Sequence, residues 1–129
     1  LTEVIHFRKG SLAFEPYGPQ GGGAASISRL VGMETSRTMG AGIARFDNVS
    51  TEWTVLYDEL IVTLEGVFRL RVGEHVHETH PGDVLWIPAN TPLRYEGDRA
   101  TVFYALAPVD WKERHARVVR SKTFVRTAP

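Results

Sequence analysis

From Ile27 onward the apolar positions are closely spaced and alternating, and turn-forming residues interrupt them at the spacing of an all-β chain. The pattern predicts strands over residues 26–31, 39–47, 51–57, 59–65, 67–72, 75–80, 83–88, 93–97 and 100–108. Helical periodicity is scarce. Turns are expected at Gly66, at Val72 to Glu74, at Pro81 and Gly82, and at Gly97 and Asp98, where the residue types permit tight reversals. Short strands at hairpin spacing in so small a chain point to a closed or sandwiched barrel with a pocket at one mouth.

The ends of the chain read differently. Residues 15–25 mix prolines and glycines and predict a flexible connector. They do not form a phosphate loop, because no lysine next to a serine or threonine follows Gly23 between a strand and a helix. After Asp110 the segment "WKERHARVVRSKTFV" turns basic and reads as a short helix or an extended arm. Trp111 and the basic arm from Lys112 are expected to cover an edge of the barrel or a dimer partner.

Composition narrows the function classes. A chain of 129 residues with 43% hydrophobic content fits a single domain over 1–129, with its core at about 26–111. Fifteen basic residues balance fifteen acidic ones, so no net field recruits nucleic acid or an anionic membrane. There is no cysteine, which removes disulfides, thiolate ligands and a cysteine nucleophile together. The first residues have neither a signal-peptide profile nor a long apolar run, and a cytoplasmic location is expected.

Candidate chemistry centres on "WTVLYDELIVTLEG". Alternation by two puts Trp53, Val55, Tyr57, Glu59, Ile61 and Thr63 on one face, so a carboxyl group shares the interior with aromatic and aliphatic walls. Burial there raises its pKa, and a hydroxyl such as that of Tyr57 partly offsets the cost. Such a group suits proton transfer, or binding of a cationic or hydroxylated ligand. It also suits plain structural pairing with an interior arginine or tyrosine.

"YDELIVTLEG" followed by "PGDVLWIPANTP" resembles the two motifs of the cupin family, and the resemblance implies a jelly-roll β-barrel. "MGAGIARFDN", "WTVLYDE", "TLEG", "GDVLWIP" and "FYALAPVDW" are similar, in the same order, to the cupin domain of the ethanolamine utilization protein EutQ. That likeness implies a role in small-molecule metabolism tied to amine or ethanolamine use, beside metabolic compartment proteins, and an acetate kinase activity suggested for the family. No phosphate-binding motif accompanies it. Family members often carry an additional amino-terminal region, and any function that needs it does not transfer to these residues.

The resemblance also locates the family's metal ligands. Its first-motif histidines fall at Trp53 and Val55, or at Glu52 and Thr54 with longer spacing, and its second-motif histidine falls at Leu93. Glu59 alone remains, and one carboxylate cannot hold a transition metal that wants three or more donors. No metal or other cofactor is expected, and metal-dependent oxygenase and isomerase chemistry is not. His75 and His77 share a face, with His80 on the other. Through His77 they either approach Glu59 as a relocated site or lie as surface residues on a charged hairpin.

The expected catalytic residues are Glu59, Tyr57 and Tyr95, and the expected ligand contacts are Trp53, Glu59, Tyr104 and His77. Tyr95 shares the inward direction of Leu93, Arg94 points away, Tyr104 fits either core or pocket, and Trp86 is expected to pack. Two function classes follow: a small-ligand binding or assembly module, and a metal-free lyase, isomerase or cyclase using Glu59. The expected partners are a small molecule and a second copy, paired through strand edges and terminal segments.

Overall fold

The computed structural model describes residues 3–18 and 23–127. After a short 3-10 turn at Lys9–Ser11 come eight strands: β1 (Glu15–Pro16), β2 (Ala24–Val31), β3 (Gly40–Asp47), β4 (Val49–Thr54), β5 (Asp58–Val72), β6 (His75–Thr79), β7 (Val84–Ile87) and β8 (Pro92–Ala107). A helix, α1 (Trp111–Thr127), follows them. The architecture is therefore a mixed one, an eight-stranded antiparallel sheet with one helix, and the all-β expectation is corrected by α1.

The expected closed barrel is corrected too. The hydrogen-bonded path runs β1-β2-β3-β8-β5-β6, with β4 branching from β8 and β7 from β5, so the sheet ends at β1 and β6 without joining them. Two long strands explain why. One edge of β8 pairs with β4 over its first half and with β3 over its second, while β5 runs along its other edge. The free edge of β5 is shared in the same way between β7 and β6. The sheet therefore forks into two parts that continue through β5 and β8.

The inner faces of the two parts pack together. Phe46 of β3 lies 5.5 Å from Phe68 of β5 and 5.5 Å from Tyr95 of β8, ring centre to ring centre. Around them Ile27, Ala44, Val55, Ile61, Leu70, Ile87, Leu93 and Val102 complete a buried apolar cluster. The alternation along β5 is the predicted one: Glu59, Ile61 and Thr63 point inward while Leu60 and Leu64 are exposed.

Segments predicted as separate strands are joined. Residues 59–65 and 67–72 belong to β5, and 93–97 and 100–108 belong to β8 as far as Ala107. Gly66 does not reverse the chain; it adopts φ +69° within β5, where the register with β8 shifts on either side of Glu65. A bulge absorbs the irregularity and the strand continues. Of the predicted flexible connector, Glu15–Pro16 pairs with β2 and Ala24 and Ala25 begin β2, while 19–22 lie outside the described residues. The basic segment after Asp110 forms α1.

Candidate functional site

Between the inner faces of the sheet, under the start of α1, lies a cavity of about 620 Å³. Its buried floor includes Phe46, Glu59, Ile61, Tyr95 and Val102, and its rim carries the exposed residues Arg29, Met33, Glu34, Glu52 and Lys112. Glu59 faces inward because it pairs in register with Leu106 of β8 and Ile87 of β7 near the start of β5. Tyr95 reaches it from the other part of the sheet and donates its hydroxyl to Glu59 Oε1 at 2.8 Å.

Only 4% of Glu59 is exposed. Among the described residues no lysine, arginine or histidine forms an ion pair with it. Burial pushes its carboxyl up to about 7, against a smaller downward pull from the Tyr95 hydrogen bond. The surrounding phenols respond in turn. Burial and then the Glu59 charge raise Tyr57 and Tyr95 well above the usual tyrosine value. Tyr17 is raised to about 12 by burial and then Glu59, with Arg29 opposing. Tyr104 is raised to about 12 by burial, with Arg29 opposing and Glu59 reinforcing.

Aromatic side chains form the wall beneath α1. Trp53 donates its indole N–H to the Tyr57 hydroxyl at 3.2 Å. The Trp111 ring lies 5.1 Å from Tyr57 and 6.0 Å from Trp53, so the first residue of α1 locks that corner. On the opposite wall Tyr104 pairs in register with Gly42, whose missing side chain makes room for it: a Cβ there would come within 2.6 Å of the Tyr104 hydroxyl. Thr51 is buried on the cavity wall, and its Oγ1 has no hydrogen-bond partner among the described residues.

The structure brings five of the expected residues, Trp53, Tyr57, Glu59, Tyr95 and Tyr104, to one cavity. His77 is not among them. It pairs with Leu70 on the edge strand β6 and is exposed, its ring 4.4 Å from that of His75. The expected ligand contact by His77 is thus corrected, and of the two alternatives for the histidines the surface one holds: Glu59 faces the interior cavity while both histidines are exposed on an outer edge. No histidine stands where the family resemblance places one, at Trp53 and Val55 or at Glu52 and Thr54, and at Leu93, and the residues do not fit the family's metal. Among the described residues no three His, Cys, Asp or Glu side chains gather as a metal would need.

Sequence reasoning missed Tyr17 and Thr51 in the cavity wall and Arg29 at its rim, and placed Trp111 over a barrel edge or a dimer partner. Tyr17 is the aromatic residue within a proline- and glycine-rich stretch, and Arg29 interrupts an apolar strand; both were signals. Trp86, expected to pack, is 60% exposed, because Ile87 takes the inward position opposite Glu59 and turns its neighbour outward.

Comparison with known proteins gives a consistent family. The family model described as ethanolamine utilisation protein EutQ matches residues 19–113. The acetate kinase EutQ of Salmonella typhimurium is 29% identical over 87 residues, 67% of this chain and 38% of that protein, so the chain spans well under half the length of this curated relative. The solved structure of the Clostridium difficile EutQ protein aligns with a TM-score of 0.66 at 21% identity, over 70% of this chain and 72% of that one. The polyketide cyclase RemF from Streptomyces resistomycificus aligns with a TM-score of 0.68 at 20% identity, over 83% and 80% of the two chains, a likeness of fold.

Proposed function

The chain belongs to the EutQ family of ethanolamine utilisation proteins, within the cupin superfamily, and on that premise we propose a cytoplasmic, metal-independent protein of amine or ethanolamine metabolism that binds a small polar molecule in its cavity. The observation that carries the reading is Glu59, a buried carboxyl at the floor of a cavity large enough for a small ligand, which accepts a hydrogen bond from Tyr95 and, among the described residues, forms no ion pair. A purely structural carboxyl would be expected to have its charge compensated by the protein itself.

Thermal-shift screening of hydroxylated and amine-bearing compounds against the native chain and Glu59→Gln tests this. The expected result is a ligand-dependent rise in melting temperature that the variant loses while its own melting temperature is retained. A variant of lowered melting temperature with its ligand response intact overturns the reading.

A second reading, proton-transfer catalysis by a lyase, isomerase or cyclase, draws on the same carboxyl. With its pKa near 7, Glu59 exists in both protonation states at neutral pH and can accept or deliver a proton, with Tyr95 and Tyr57 to orient a substrate. The acetate kinase activity in the relative's name is not carried over, because the chain lacks a phosphate-loop motif and covers 38% of that protein.

A second copy is the macromolecular partner we infer. Leu60, Leu64, Val84 and Trp86 form an exposed apolar strip on the outer face of β5 and β7, away from the strand edges first expected to pair. A twofold axis would bury both strips at once. Among the described residues no helix is long and apolar enough to cross a membrane.

A further inference from the structure

The cavity has a charge pattern that selects among ligands. Among the described residues its buried interior holds one carboxyl, Glu59, and the basic side chains that line it, Arg29 and Lys112, are exposed at the rim. Arg29 is further engaged by an ion pair with Glu15. An anionic ligand would therefore meet a carboxyl at the floor with no buried cation among the described residues to offset it. A neutral ligand would leave the ionised carboxyl as costly as before.

The walls favour the opposite charge. Tyr17, Trp53, Tyr57, Tyr95, Tyr104 and Trp111 give the cavity an aromatic lining around that carboxyl. Aromatic faces attract a desolvated cation through the ring quadrupole, and organic ammonium ions are bound in this way. Thr51 Oγ1, buried on the same wall without a partner among the described residues, offers a hydrogen bond to a second polar group.

Building on the reading of the cavity as a ligand site, we propose that its ligand is a small organic ammonium ion, its positive nitrogen set against Glu59 within the aromatic lining. The ligand supplies the countercharge that the described residues do not. Binding then requires the ionised carboxylate, and because that group titrates near neutrality the ammonium displaces a proton from it. The groups facing Glu59 are Tyr95 and Tyr104 from β8, Tyr57 ahead of β5 and Tyr17 after β1. All four are phenols that burial raises above the usual tyrosine value, so they stay neutral across the working range. Arg29, from β2, pulls Tyr17 and Tyr104 the other way.

Calorimetric titration of the full chain with choline, tetramethylammonium, the uncharged carbon isostere of choline and phenol, each in buffers of different ionisation enthalpy, provides the test. The expected result is that the cations bind at least about tenfold more tightly than the isostere. Their affinity should rise about tenfold between pH 6 and pH 8, with close to one proton released per cation at the lower pH. Glu59→Gln should abolish the cation preference and the proton release. Trp53→Leu, which leaves the carboxyl in place, should weaken the cations several-fold and the isostere little. Equal binding of the isostere and the cations without proton release overturns the ammonium assignment while leaving a small-molecule pocket in place. Silence from all four probes overturns both.

Discussion

Tyr95 and Glu59 meet across the core, the phenol on β8 donating to a carboxylate oxygen on β5 at 2.8 Å. Their hydrogen bond joins the two inner faces of the sheet at the floor of the cavity. No ion pair among the described residues compensates the charge of Glu59, and that condition makes the site measurable by pH.

Glu59 makes folding stability fall as pH rises through the carboxyl's window. Its pKa is about 7 when folded and 4.5 as a model value, so between those values the folded chain holds more protons than the unfolded one. The stabilisation is fully present below the unfolded value and lost as pH rises through the folded one, a change on the order of 3 kcal/mol. Urea denaturation at pH 4.5, 6 and 8 should show this decline in the native chain and its absence in Glu59→Gln. Near pH 8 the variant is expected to be no less stable than the native chain.

Tyr95→Phe keeps the ring but removes the donor that stabilises the charged carboxylate. Glu59 should then titrate still higher than about 7, seen as an upward shift in the carboxyl carbon resonance midpoint. The lost hydrogen bond should cost about 1 kcal/mol at neutral pH. A midpoint that stays in place or falls contradicts the arrangement.

Gly66 and Gly73 both have positive φ, +69° and +60°, but differ in their surroundings. A Cβ at Gly66 would lie 2.2 Å from the Arg99 carbonyl oxygen, whereas at Gly73 nothing comes within 4 Å. Gly73→Ala should therefore cost about 1 kcal/mol, the strain of the backbone conformation alone. Gly66→Ala should cost at least about 3 kcal/mol, because backbone must move as well. Comparable melting temperatures for the two variants would refute the difference.

Trp86→Lys tests self-association through the outer face. Light scattering at micromolar concentration should find a dimer for the native chain and a monomer for the variant, with an unchanged circular dichroism spectrum. A native monomer, or a variant that dimerises equally well, removes the second copy from that face.

Much of the site was legible because alternation by two needs only local sequence: Val55, Tyr57, Glu59, Ile61 and Thr63 are all buried. The same rule would have turned Trp86 outward had Ile87 been fixed as the inward residue. What stayed hidden depended on pairing at a distance. Gly66 has the appearance of a reversal in sequence, yet only its cross-strand partners determine whether a left-handed residue ends a strand or bulges within it. Tyr17 enters the cavity because β1 pairs with β2, a contact that its proline- and glycine-rich neighbours conceal. His77 lies on the face shared with Leu70, but the edge position of β6 leaves it exposed.

The placement of β8 governs the order in which the molecule can form. This strand pairs with β3, β4 and β5, yet it is the last of the eight to leave the ribosome. Until residues 92–107 emerge, β3 and β4 lack that bonding edge and the long β5 lacks its principal neighbour. Closing such distant pairings carries a large entropic toll before any contact repays it, so refolding should be slow for a chain of this length. A nascent chain halted before Pro92 would present unpaired strands to its surroundings, the state in which a β protein is most open to chaperones and to aggregation.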